Sequence, residues 1–153
     1  MASLVPLLSE ILPMVMPATA HVARAKEIES AACAAQGPVT VRPAIVDKCA
    51  GMSSTVMTVR PHSETQVQHN SEQDAIIYTV SGSGVLTVNQ GFGQELREHD
   101  ISAGDFAFVP AWTEHRFSNS QHVDLVCVVI HGGSRPAGAT FVDWGGDEDT
   151  STK

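Results

Sequence analysis

The stretch Gly104-Asp-Phe-Ala-Phe-Val-Pro110-Ala-Trp112-Thr-Glu-His115-Arg-Phe-Ser-Asn119 decides the fold. A glycine opens it, a short run of alternating aromatic and small residues follows, and Pro110 leads a turn. A lone histidine then opens the next strand, with an asparagine four residues further on. Side chains alternate faces along a strand, so this layout aims one imidazole into whatever the sheet encloses.

The same rhythm extends outward over residues from about 38 to 131. Short β-branched runs at 39–46, 54–59, 75–80, 84–88, 105–109, 115–118 and 123–130 are separated by Gly, Pro, Asn and Ser turns. No helical periodicity lies between them, which predicts an antiparallel sandwich or barrel. Ser81-Gly82-Ser83-Gly84 and residues 89–93 read as reversals, and Asp100 to Gly104 leads into the strand that carries Phe106 and Phe108. Upstream, residues 22–36 suit a helix by propensity, with Gly37 as the stop. The expected organisation is an N-terminal arm with a short helix over 1–37, a β-barrel over 38–142, and an acidic disordered tail over 143–153.

A chain of 153 residues supports one domain with a single core. Seventeen acidic residues against nine basic ones give a net charge of −8, which repels phosphate backbones and anionic lipid. Neither nucleic acid nor a membrane is therefore an expected partner. The three cysteines, Cys33, Cys49 and Cys127, are odd in number and lack C-x-x-C spacing, so they read as reduced thiols in the cytoplasm. Residues 1–20 are apolar and end in a small-residue triplet that resembles a leader cleavage site. However, they lack a basic start, and Glu10, Pro6, Pro13 and Pro17 interrupt them. The favoured reading is an arm packed on the barrel or on a second subunit, and secretion through a cleaved leader is the alternative. Leu4, Leu7, Leu8, Ile11 and Leu12 would otherwise be wet, so a homodimer is expected.

The stretch from Gly104 to Asn119 resembles the second motif of the cupin family, G-x5-P-x-G-x2-H-x3-N, at every defined position but one. Trp112 stands where the family usually has glycine. The resemblance covers about residues 39–131 and implies an all-β, antiparallel jelly-roll barrel with a ligand cavity inside. The family's first motif, G-x5-H-x-H-x3,4-E-x6-G, is matched only at its end, Tyr78-Thr79-Val80-Ser81-Gly82. Counting back from Gly82, its carboxylate position falls on Ala75, one residue away from Asp74. Its histidine pair falls on His69 and Ser71 in one register, or on Gln68 and Asn70 in the other.

The resemblance implies a metal held by three His and one Glu, but only His69 and His115 match here. Asp74 or Glu72 would complete a two-His, one-carboxylate face only after a strand shift, because a residue one position off points outward. No metal or other cofactor is favoured. The alternative is iron, manganese, zinc or nickel on His69, Asp74 and His115.

The expected partner is a small organic substrate. His115 is the expected general acid or base, His69 with Asp74 or Glu72 its proton-transfer partner, and Tyr78 the group that polarises a carbonyl. Arg60 is the candidate anchor for an acidic substrate group, and His62 would reach the cavity mouth. Phe106, Phe108 and Phe117 are candidate walls, while Trp112 would be a wall or platform at the mouth. Each also has a plainer reading: the aromatics as core, Arg60 as surface. His21, His99, His122 and His131 read as surface or strand-edge. Neither a phosphate-binding loop nor a nucleophile elbow is present. The expected function is non-redox acid/base chemistry by an isomerase, cyclase, dehydratase or related lyase, by analogy in a specialised biosynthetic pathway. The alternatives are a metal-dependent dioxygenase or decarboxylase, and a non-catalytic small-ligand binder.

Overall fold

The structure is a computed structural model that describes residues 19–90 and 95–145. The expectations for the apolar arm at 1–18, part of the reversal at 89–93, and the tail from 146 onward lie outside the described residues.

Two antiparallel sheets pack face to face as a jelly roll. The first runs in the order β1 (Ala34–Gln36), β2 (Val39–Ile45), β3 (Ser53–Val59), β11 (Leu125–His131), β6 (Ala75–Ser81), β9 (Phe106–Val109). The second runs β12 (Ala139–Phe141), β5 (Val67–His69), β10 (His115–Asn119), β7 (Ser83–Asn89), β8 (Leu96–Ser102), with β4 (Ser63–Glu64) paired to β10. Strict alternation of buried and half-buried residues runs along β3, β10 and, apart from exposed Ile130, β11. It turns Met57, Val59, Phe117, Leu125, Cys127 and Val129 into one core. Burying Phe117 and Leu125 completely contributes about 2–3 kcal/mol each. The same burial pushes the Cys127 thiol up to about 11.

Two residues of the diagnostic sequence pattern fix the architecture. Asn119, fully buried, donates from Nδ2 to the carbonyls of Val59 (3.0 Å) and Val123 (2.8 Å) and accepts from the Gln121 amide (2.9 Å). It thereby ties one sheet to the other. Gly82 turns β6 into β7 at φ +79°, where any Cβ would overlap the Asp124 carbonyl oxygen.

Two elements depart from expectation. The helix at 22–36 is only α1 (Ala25–Ser30), because residues 34–36 instead pair with β2 as a strand. Gly37, at φ +60°, supplies the turn, and pairing to an existing sheet overrides helix propensity. Strand β8 was not foreseen. Its residues Arg97, Glu98, His99 and Asp100 are exposed and only Ile101 is buried, so it carries no apolar alternation. A charged edge strand has that composition. On the outer face of the first sheet, Ile76, Val80, Phe106, Phe108 and Ile130 are exposed. Among the described residues no helix is long and apolar enough to cross a membrane.

Candidate functional site

A cavity of about 480 Å³ lies between the sheets. Its apolar wall comes from the inward residues Met57, Ile77, Phe117 and Val129. Its polar groups are three imidazoles (His69, His115, His131), two amides (Gln68, Asn70) and the hydroxyls of Thr55 and Thr140. A C-terminal strap, residues 136–140, closes one side. Buried Gln73 holds that strap: its Nε2 donates to the Arg135 carbonyl (2.7 Å) and its Oε1 accepts from the Ala137 amide (3.1 Å). Arg135 is anchored in turn on Asp47, with Nε 2.7 Å from both carboxylate oxygens.

His115 opens β10 and is buried. Its Nδ1 lies 2.9 Å from the Thr113 carbonyl. A carbonyl only accepts, so Nδ1 carries the proton and Nε2 is left as a bare lone pair. Burial lowers the His115 pKa below its ordinary value. The Thr113 hydrogen bond partly opposes this, and nearby His69 adds to it. His115 is thus a neutral imidazole at pH 7 with a basic nitrogen free of protein partners among the described residues.

His69 has the opposite tautomer. Its Nδ1 accepts from the Ser71 amide at 3.0 Å, which leaves the proton of the neutral ring on Nε2. The ring packs at a tilt against Trp112 (centroids 5.3 Å) and Phe141 (5.1 Å). Trp112 sits at φ +61°, the left-handed region that suits the glycine of the motif. Its amide donates to the Ser71 carbonyl (2.8 Å), so the strained turn and the His69 turn hold each other. One ring therefore offers a lone pair and the other an N–H to the same cavity. That is the minimum equipment for moving a proton beside a polarised oxygen.

Several expected site residues are elsewhere. Asp74 is exposed and its Oδ1 accepts from the Ala111 amide (2.9 Å), so it supports the β9–β10 turn and does not orient His69. The inward position next to it is Ala75, as strand alternation requires. Tyr78 lies on the outer face of β6, out of phase with buried Ala75, Ile77 and Thr79, and packs on Phe106 at 4.7 Å. Phe106 and Phe108 point outward, 71% and 62% exposed, and border a separate hollow between the edge strands β8 and β9. Arg60 and His62 sit in the turn after β3 and do not line the cavity; His62 meets His122 edge-on at 5.1 Å. Glu72 is exposed and does not line it. Phe117 is a cavity wall, and Trp112 covers His69 at the rim.

A metal on His69, Asp74 and His115 requires three converging donors. Asp74 is committed to Ala111, and among the described residues no three His, Cys, Asp or Glu side chains cluster to hold an ion. The residues present do not fit that site.

Sequence reasoning missed His131. It shares the phase of Leu125, Cys127 and Val129, so extending the strand at 123–130 by one residue would have placed it inside. It is buried, with Nε2 3.3 Å from Thr55 Oγ1. Burial, and then nearby His115, depress its pKa to about 4.

Residues 55–131 match the family model for a cupin domain. No curated protein matches the chain. Solved structures of oxalate decarboxylase, one of them from Bacillus subtilis, superpose with a TM-score of 0.69 at 19% identity. One is at pH 4.6, and another is described by its substrate binding mode and the basis of a reaction specificity switch. The match covers 75% of this chain and only 31% of the decarboxylase, so this chain spans about a third of that protein's length. At that identity the likeness is one of fold.

Proposed function

This chain belongs to the cupin domain family, and from that premise we propose that its cavity binds a small organic molecule and moves a proton on it without redox chemistry. The observation that carries this reading is the opposed tautomers of His115 and His69 on one largely apolar cavity. His115 Nε2 takes a proton from an acidic C–H next to a carbonyl and becomes an imidazolium, its Nδ1–H still held by Thr113. His69 Nε2–H donates to the oxygen on which the electron pair collects. The imidazolium then returns its proton to another atom of the same molecule, so the step is a balanced isomerisation with no oxidant or leaving group. Cyclisation or dehydration would use the same two groups.

Enolisation of an uncharged ketone tests this. The full chain should accelerate deuterium uptake from heavy water into 2-tetralone, and His115→Ala should lose about 100-fold of that acceleration. Unchanged exchange in the variant would remove His115 from the chemistry and leave a ligand-binding cavity.

A second reading is a metal-dependent decarboxylase. It is supported by the fold likeness to a decarboxylase whose Mn(II) centres have been characterised. Against it stand the methyl group of Ala75 at the carboxylate position and the outward turn of Asp74. Near one transition-metal atom per purified chain would favour it. The homodimer remains a proposal, in which a second copy would cover the apolar outer face of β6 and β9.

A further inference from the structure

We infer that His131 contacts the substrate, and that the cavity selects molecules presenting an uncharged oxygen, a ketone or a hydroxyl, to its Nδ1. This rests on the cavity being the site proposed above.

The ladder register puts His131 directly opposite Ala75 on one side and Ser53 on the other. Ala75 is a single methyl, so the ring has room at the place where the first-motif count puts a carboxylate. Nε2 is engaged by Thr55 Oγ1, whereas Nδ1 is buried with no partner among the described residues. The hydroxyl of Ser53, its cross-strand neighbour, is also buried without a partner among the described residues. Orphaned polar atoms inside a core are costly, and because His131 lines the cavity its unpartnered Nδ1 marks a place where something polar belongs.

The chemistry of that something is constrained by charge. Among the described residues no Arg, Lys, Asp or Glu lines the cavity, although the chain carries 26 such residues, nine basic and seventeen acidic. A carboxylate entering it would lose its water and meet no cation. Burial keeps His131 neutral at pH 7, so it supplies no positive charge either. The neutral ring has two tautomers. If Thr55 donates to Nε2, Nδ1–H needs an acceptor; if Nε2–H donates to Thr55, Nδ1 needs a donor. A hydroxyl satisfies both cases and a ketone the first. Neither brings a charge that the site leaves unpaired.

Two shape-matched probes test this by calorimetric titration of the full chain at pH 7: neutral 2-naphthol and anionic 2-naphthoate. The wild type should bind 2-naphthol at least about tenfold more tightly. His131→Leu should weaken 2-naphthol binding at least about fivefold. His131→Asn, whose amide reaches the Nδ1 position, should restore part of the affinity and also serves if the Leu variant does not fold. Equal or tighter 2-naphthoate binding overturns the uncharged class, and unchanged 2-naphthol affinity in a folded His131 variant overturns the contact. Binding of neither probe overturns this inference and the cavity reading together. Intact preference with His115-independent tetralone exchange sinks only the catalytic proposal. Lost preference with His115-dependent exchange sinks only the substrate class.

Discussion

Acidification should unfold this protein partly through one imidazole. His131 is held near a pKa of about 4 in the fold, against 6.5 when free. The folded state therefore binds fewer protons than the unfolded chain between those values, and stability falls as pH drops through that window. Above 6.5 the contribution of the neutral ring is fully present; towards 4 it is lost. The gap is about 2.5 pH units at about 1.4 kcal/mol each, a ceiling of about 3.5 kcal/mol. Most of that is spent by pH 4.5, and the cavity's access to water trims it to about 2 kcal/mol. The assay is urea unfolding at pH 7 and pH 4.5, followed by circular dichroism, for wild type and His131→Leu. Carboxylates and His115 titrate in both proteins, so the difference between the two pH-dependent losses isolates His131. Wild type should lose about 2 kcal/mol more than the variant. Equal losses would mean that the ring protonates in the fold as freely as in the coil, which contradicts its burial.

Gly82→Ala should cost more than about 3 kcal/mol, because the new methyl overlaps the Asp124 carbonyl at a positive φ. Gly37→Ala, with open space around it, should cost only about 1 kcal/mol; urea titration of both compares them directly. Cys127 should resist thiol reagents in the native protein, its thiol raised to about 11, while the half-buried Cys33 and Cys49 react. Mass mapping of the labelled sites checks the order, and early labelling of Cys127 would contradict the packed core. Asp74→Asn should keep tetralone exchange within about twofold, since the amide oxygen still accepts from Ala111. A loss beyond about tenfold would return Asp74 to the proton-transfer machinery.

The fold was legible where one face of a strand is buried and the other is not. Strands β3, β6, β10 and β11 carry that alternation in their residues, and Gly82 and Asn119 announce the turn and the tie that align them. Strand β8 was illegible because Arg97 to Asp100 are exposed on an edge and bury nothing. Within the site, His115 and Phe117 were readable from their place in a fixed pattern. Tyr78, Phe106 and Phe108 were not, because an aromatic side chain in a strand gives no sign of which face it takes until the phase of its neighbours is known. Phase applied one residue further along β11 would have found His131. The role of Gln73 could not be read at all, since its side chain acts on backbone groups of Arg135 and Ala137 that only the folded chain brings near.

The division of labour between the two imidazoles is tested most directly by long-range proton–nitrogen spectra of the full chain, labelled at its histidines, at pH 7. The expected result is a proton on Nδ1 and a bare Nε2 in His115, with the reverse pattern in His69. The same tautomer in both rings, or a doubly protonated His115, would contradict it.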